Sequence, residues 1–180
     1  MSLANKISIL RILLAPCIVA ALLYYSPSRD SLRYLALGLF VVGILSDALD
    51  GFVARSKREQ SQLGTLLDPI ADKCLILSTL ISCSVIHGLP NWMRIPAWFN
   101  LIVISRDVIL IAGTFVIFFS QGRWAVRPSR LGKWAIASQM LVVPTVLLQL
   151  PMKWPLLALA STLTILSGVE YLRRGIRLLS

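Results

Sequence analysis

Charge is scarce in this sequence. Only 14% of its 180 residues are Asp, Glu, Lys or Arg, and just eight are acidic. Soluble domains carry roughly 25% charged residues. The shortfall, with 57% hydrophobic residues and a mean hydropathy of +0.78, excludes an ordinary soluble domain and a disordered chain. Histidine occurs once, at His87, and cysteine three times. Cys17, Cys74 and Cys83 stand in apolar runs without C-x-x-C spacing, so they read as small packing residues and not as a disulfide or soft-metal framework. No A-x-A site follows the first apolar run, as a signal peptide requires, and neither repeats nor low-complexity tracts occur. The net charge of +10 comes from 18 Lys and Arg. In so apolar a chain it points to a membrane surface and not to nucleic acid.

What the chain has in abundance is long apolar runs. A span needs about 20 mostly apolar residues to cross a hydrocarbon core of roughly 30 Å. Six candidates occur: Ile12 to Ser28, Tyr34 to Arg55, Leu63 to Met93, Ile95 to Ser120, Trp134 to Met152, and Trp154 to Val169. Pro27, Pro90, Pro128 and Pro151 punctuate the links. The expectation is an all-α, six-span membrane protein forming one integral-membrane domain over residues 1–180. Lys6, Arg11 and Arg55 are among the twelve basic residues that fall on one side, against Arg29, Arg33, Arg94 and Lys153 on the other. That asymmetry predicts cytoplasmic termini. The five tryptophans lie near predicted span ends, where interfacial anchoring accounts for them.

Five of the eight acids fall from Asp47 to Asp72: Glu59 in a link, and four aspartates within candidate spans. A carboxylate in a span is expensive, so these are functional candidates. Asp47 and Asp50 are three apart, and Asp68 and Asp72 four apart, so each pair shares a helix face. The short Arg55–Leu63 link predicts antiparallel neighbours with both pairs at one depth. Converging carboxylates repel, and Lys73 points away from the Asp68/Asp72 face. One or two hard divalent cations, Mg²⁺, Mn²⁺ or Ca²⁺, would relieve the repulsion and clamp a pyrophosphate. A structural carboxylate cluster and a cation-transport path are the competing readings. Against them, Gly51, Ala54 and Gly64 leave room for a bulky ligand, and Arg55 offers a planar fork suited to phosphate. A transport path would also need acids in the outer half, where only Asp30 stands.

The pattern reads Asp47-x-x-Asp50-Gly51-x-x-Ala54-Arg55, eight residues, then Gly64-x-x-x-Asp68-x-x-x-Asp72. It resembles the signature of the CDP-alcohol phosphotransferase family, with every fixed position and spacing present. The resemblance implies transfer from a CDP-linked donor, usually CDP-diacylglycerol, to an acceptor hydroxyl with release of CMP. It further implies that Asp47, Asp50, Asp68 and Asp72 hold two divalent ions, Mg²⁺ or Mn²⁺, and that Asp72 is the general base. Asp47, Gly51, Ala54, Arg55 and Gly64 would receive the CDP donor. It also suggests a homodimer, with the site facing the cytoplasm of a bacterial inner membrane.

Asn5, Ser8, Arg11 and Pro16 resemble the N-x-x-T-x-x-R-x-x-x-x-P opening of the phosphatidylglycerophosphate and cardiolipin synthase branches, with Ser8 keeping the hydroxyl of the threonine. Ile104 to Asp107 and Pro128 to Gln139 resemble the same branches, although the second Lys and the Thr of a G-K-x-K-T-x-x-Q run are absent. For an anionic acceptor the available cations are Arg106, Arg127, Arg130 and Lys133. Arg106 stands out because an arginine inside a span is costly without a partner. Asp107 is expected to be a poor partner, since adjacent helix positions face about 100° apart. Glycerol 3-phosphate is the favoured acceptor and phosphatidylglycerol the alternative. His87 is expected near the outer side, away from the chemistry.

Overall fold

Pro27, Pro90 and Pro151 lie in breaks between helices, whereas Pro16 and Pro144 are accommodated inside α1 and α5. The computed structural model describes the backbone of residues 3–57, 62–121 and 129–179, and side chains within 8–46, 71–117, 119–120 and 129–177. Six α-helices and no strand occur among the described residues: α1 (Leu3–Leu23), α2 (Ser31–Lys57), α3 (Gln62–Val85), α4 (Ala97–Gln121), α5 (Arg130–Leu147) and α6 (Lys153–Leu179). A 3₁₀ turn opened by Pro27 joins α1 to α2. Ser129 caps α5 by accepting a hydrogen bond from the Gly132 amide at 2.9 Å, which satisfies one orphan donor of the first turn.

Three expected boundaries move. α1 begins before Lys6 and Arg11, so both basic residues are inside the helix and do not flank it. α3 ends at Val85, short of Met93. Residues 86–95 fold into a tight connection in which the Ile95 amide donates to Cys83 O at 3.0 Å and Ser84 Oγ donates to Ile95 O at 2.8 Å. Gly88 and Pro90 lie in that stretch and disfavour continued helix. α6 runs ten residues past Val169, as an amphipathic tail carrying Arg173, Arg174 and Arg177. Among the described residues, Ala97–Ile117 and Lys153–Arg177 are long and apolar enough to span a membrane, whereas the apolar parts Ser8–Leu23 and Ser31–Ser46 are shorter.

The helices fall into two compact units, Met1–Ile95 and Pro96–Ser180. In the first, α1 packs along both α2 and α3. Its buried face is Ser8, Arg11, Ala15, Ile18 and Leu22, spaced by three or four as one helix stripe requires. Leu75, Ile76, Thr79, Leu80 and Cys83 answer it from α3, and Ala36 and Phe40 are buried on α2. In the second unit α6 packs on both α4 and α5. Several side-chain polar atoms in these apolar helices are satisfied locally or across the interface. Thr79 and Ser161 donate back to carbonyls four residues earlier, Tyr171 OH donates to Leu110 O at 3.0 Å, and Gln139 Nε2 donates to Thr164 Oγ1 at 2.8 Å. The outward faces are apolar: Leu13, Leu45, Leu101, Phe119 and Ile176 are all exposed. Such a surface is favourable in hydrocarbon and a liability in water.

Candidate active site

The first unit carries the acidic signature. Asp47, Asp50, Gly51, Ala54 and Arg55 have their backbone in the last turns of α2, and Gly64 and Asp68 in the first turns of α3. Their side chains lie outside the described residues. Asp72, one turn after Asp68, is described. Its side chain is 28% exposed, and its Oδ1 accepts a hydrogen bond and ion pair from Nη1 of Arg11. Arg11 itself is 0% exposed, in the centre of the buried stripe of α1.

That pair amends the sequence reading. Arg11 was expected as a flanking cytoplasmic charge, yet it is interior and supplies the acidic region with a cation. The signal was present in the spacing: Arg11 shares its three-and-four register with Ala15, Ile18 and Leu22. Polarity alone made it look like a flank.

A second feature missed in the sequence brings α2 to α3. A Cβ on Gly43 would fall 2.5 Å from Cδ2 of Leu75, so only glycine allows this approach without displacing the leucine. Gly43 lies about as far before the end of α2 as Leu75 lies after the start of α3, as antiparallel neighbours require. Positions 47 and 50 follow Gly43 on the same stripe of α2, and Asp72 precedes Leu75 by three on α3. This close approach is therefore one turn in sequence from Asp47 on α2 and from Asp72 on α3.

The donor chemistry fits a hard divalent cation. Asp72 offers a partly exposed carboxylate oxygen, and the signature supplies three more carboxylates with no histidine or thiolate among them. Among the described residues no group of three or more His, Cys, Asp or Glu side chains comes together. Asp47, Asp50 and Asp68 lie outside that description.

The second unit carries the predicted acceptor cations. Arg106 is 7% exposed on α4. Its Nη1 donates to Asp107 Oδ1 at 2.9 Å and its Nη2 to Ser167 Oγ on α6 at 3.0 Å. The expectation that Asp107 is a poor partner is thus overturned. The length of the arginine side chain allows the guanidinium to reach Asp107 despite the angular offset of the Cβ directions. Gly132 packs beside the guanidinium, where a Cβ would lie 3.1 Å from Nη2. The first turn of α5, which carries Arg130 and Lys133 on its exposed side, thereby abuts Arg106. Arg127 lies outside the described residues. A groove of about 320 Å³ runs beside Arg106 between Leu101, Ile102, Ser105, Thr164, Gly168 and neighbouring apolar residues.

Comparison with known proteins bears on both units. The profile of the CDP-alcohol phosphatidyltransferase family matches residues 1–166. The chain is 31% identical over 183 residues to a probable phosphatidylglycerophosphate synthase of Mycobacterium tuberculosis, covering 98% of this chain and 82% of that one. It is 33% identical over 172 residues to a CDP-diacylglycerol–glycerol-3-phosphate 3-phosphatidyltransferase of Haemophilus influenzae, covering 93% and 89%. It is 32% identical over 144 residues to a putative cardiolipin synthase of Mycobacterium bovis, covering 80% and 63%. The eight signature residues on α2 and α3, the buried basic residue bound to the last of them, and a match that runs through both units lead to one assignment: the chain belongs to the CDP-alcohol phosphatidyltransferase family.

Proposed function

We propose that the chain transfers the phosphatidyl group of CDP-diacylglycerol to glycerol 3-phosphate, releasing CMP and forming phosphatidylglycerophosphate. The observation that carries this reading is the unbroken acidic signature, ending at a partly exposed Asp72. The relatives named as glycerol-3-phosphate 3-phosphatidyltransferases support the choice of acceptor.

In this reading the acceptor oxygen forms a bond to the β-phosphorus, the one bearing the diacylglycerol, and the bond from that phosphorus to the CMP oxygen breaks. The acceptor proton passes to Asp72, and CMP leaves with the electron pair. Two divalent ions, Mg²⁺ or Mn²⁺, would supply charge stabilisation on the pyrophosphate when held by Asp47, Asp50, Asp68 and Asp72. Gly51, Ala54 and Gly64 give the nucleotide close access to the helix backbones, and Arg55 binds its phosphate. Arg106, Arg127, Arg130 and Lys133 bind the phosphate of the acceptor, which carries two negative charges and needs more than one cation. Positioning and charge stabilisation account for most phosphoryl-transfer catalysis, so the chain needs no covalent nucleophile.

The same reading has six spans, cytoplasmic termini and a cytoplasmic site in a bacterial inner membrane, with residues 1–180 acting as one domain in a homodimer. The positive charge asymmetry supports the orientation. The family match across residues 1–166 supports reading the chain as one family domain. The relative named putative cardiolipin synthase, and the Arg106-Asp107 pair, favour phosphatidylglycerol as the second candidate acceptor.

The test is direct. Purified protein in mixed micelles receives labelled CDP-diacylglycerol with either glycerol 3-phosphate or phosphatidylglycerol, and the lipid product is identified. Phosphatidylglycerophosphate is expected from the first. Cardiolipin from the second alone would replace the acceptor, and absence of CMP release with both would end the transferase reading.

A further inference from the structure

We propose that Arg11 is a positioning residue for the transfer step: from inside the first unit it fixes the Asp72 carboxylate by Oδ1, so that Oδ2 is the oxygen presented to the acceptor hydroxyl. This inference rests on the proposed role of Asp72 as proton acceptor.

Three observations carry it. Arg11 is 0% exposed whereas the Asp72 side chain is 28% exposed, so the cation lies behind the carboxylate and the accessible part of Asp72 lies on its other side. The contact joins α1 to α3, the pair of helices that pack most extensively in this unit, so the guanidinium is held by a rigid frame. The planar, always-charged guanidinium restrains the carboxylate in direction as well as in charge. A free carboxylate can turn about its last torsion and offer both oxygens to a metal. With Oδ1 taken by Arg11, ligation of a metal by both oxygens is disfavoured, and Oδ2 alone, through its separate lone pairs, is left to meet a metal ion and the acceptor proton. A pair kept for stability alone is poorly explained here, because apolar residues of similar volume generally do as well as a buried ion pair.

The experiment compares wild type, Arg11→Lys, Arg11→Gln, Asp72→Asn and the Arg11→Gln/Asp72→Asn double variant as full chains in micelles. It measures kcat, KM for each substrate, Mn²⁺ affinity by electron paramagnetic resonance with the metal alone, and thermal unfolding. Residues that orient a ligand through one intermediate group typically contribute about 10- to 100-fold. Arg11→Gln is therefore expected to lower kcat by that factor, with both KM values and Mn²⁺ affinity within about threefold of wild type. Arg11→Lys should fall between, because its point charge keeps the attraction and loses the directional fork. In the Asp72→Asn background Arg11→Gln should have no further effect on kcat. An unchanged kcat in Arg11→Lys and Arg11→Gln overturns the proposal, as does a loss that appears in Mn²⁺ affinity or in KM. Should Arg11→Gln fail to purify, the kcat of Arg11→Lys decides alone. Wild type without CMP release would instead overturn the transferase reading, which separates the two failures.

Discussion

Gly43 of α2 and Leu75 of α3 meet so closely that the missing Cβ of the glycine would stand 2.5 Å from a leucine methyl. Leu75 is buried at 2% exposure, so that methyl has little room to retreat. In sequence the contact lies one turn from Asp47 on α2 and one turn from Asp72 on α3, so a change in helix separation here is expected to reach the acidic pairs.

Gly43→Ala should therefore lower transfer activity while the protein still inserts. Overpacking a filled interior costs typically about 1–3 kcal/mol, partly offset by the gain of about 1 kcal/mol when alanine replaces glycine in a helix. A small loss of thermal stability with a larger loss of kcat is expected. Leu75→Ala in the same chain should restore kcat by returning the space. If the double variant is as impaired as Gly43→Ala, the spacing argument fails.

Removal of divalent metal should stop turnover. In the proposed reading the signature gathers four carboxylates beside a pyrophosphate that carries its own negative charge, more than the Arg11 bound to Asp72 can offset. Excess chelator should abolish CMP release, and Mg²⁺ or Mn²⁺ should restore it. Sustained CMP release at full rate in chelator would remove metal from the site.

Each of Asp47→Asn, Asp50→Asn and Asp68→Asn should abolish turnover in protein that still purifies from the membrane. Asparagine keeps the size and removes the charge that a hard cation requires. Asp72→Asn should slow chemistry by the roughly 10²- to 10⁴-fold of a lost general base. Near-normal activity in any one variant would strike that residue from the set.

The helical class, the breaks at Pro27, Pro90 and Pro151, and the acidic signature were legible in the sequence, because each is written in local spacing, while the predicted break at Pro128 lies outside the described residues. Hydropathy windows misplaced the ends of α3 and α6, since a window cannot distinguish a tight turn near Gly88 and Pro90, or an amphipathic arginine-bearing tail, from the span beside it. Arg11 was misread because its charge was weighed ahead of its register on the α1 stripe. The Arg106–Asp107 bond was missed because Cβ direction was taken for side-chain reach. Gly43 gave no signal, since a close approach depends on the partner helix and a single chain segment does not reveal it.

Arg106 offers the sharpest separation of donor from acceptor. It is 7% exposed, held at Nη1 by Asp107 and at Nη2 by Ser167, and bordered by Gly132 at the start of α5. These bonds fix the guanidinium plane beside the turn that carries Arg130 and Lys133. If the assembly receives the acceptor phosphate, Arg106→Ala should leave the KM for CDP-diacylglycerol unchanged and raise the KM for glycerol 3-phosphate. A hydrogen bond to a charged group is worth about 1.5–3 kcal/mol, or roughly ten- to a hundredfold. Ser167→Ala removes only one of the two tethers and should raise the acceptor KM by less than Arg106→Ala does. Paired titrations of the two substrates, with thermal unfolding measured on the same preparations, decide the matter. An unchanged acceptor KM with a marked drop in stability would make Arg106 a member of a structural ion pair with Asp107. Acceptor binding would then rest on Arg127, Arg130 and Lys133, and charge reversal at those three positions should raise the acceptor KM in its place.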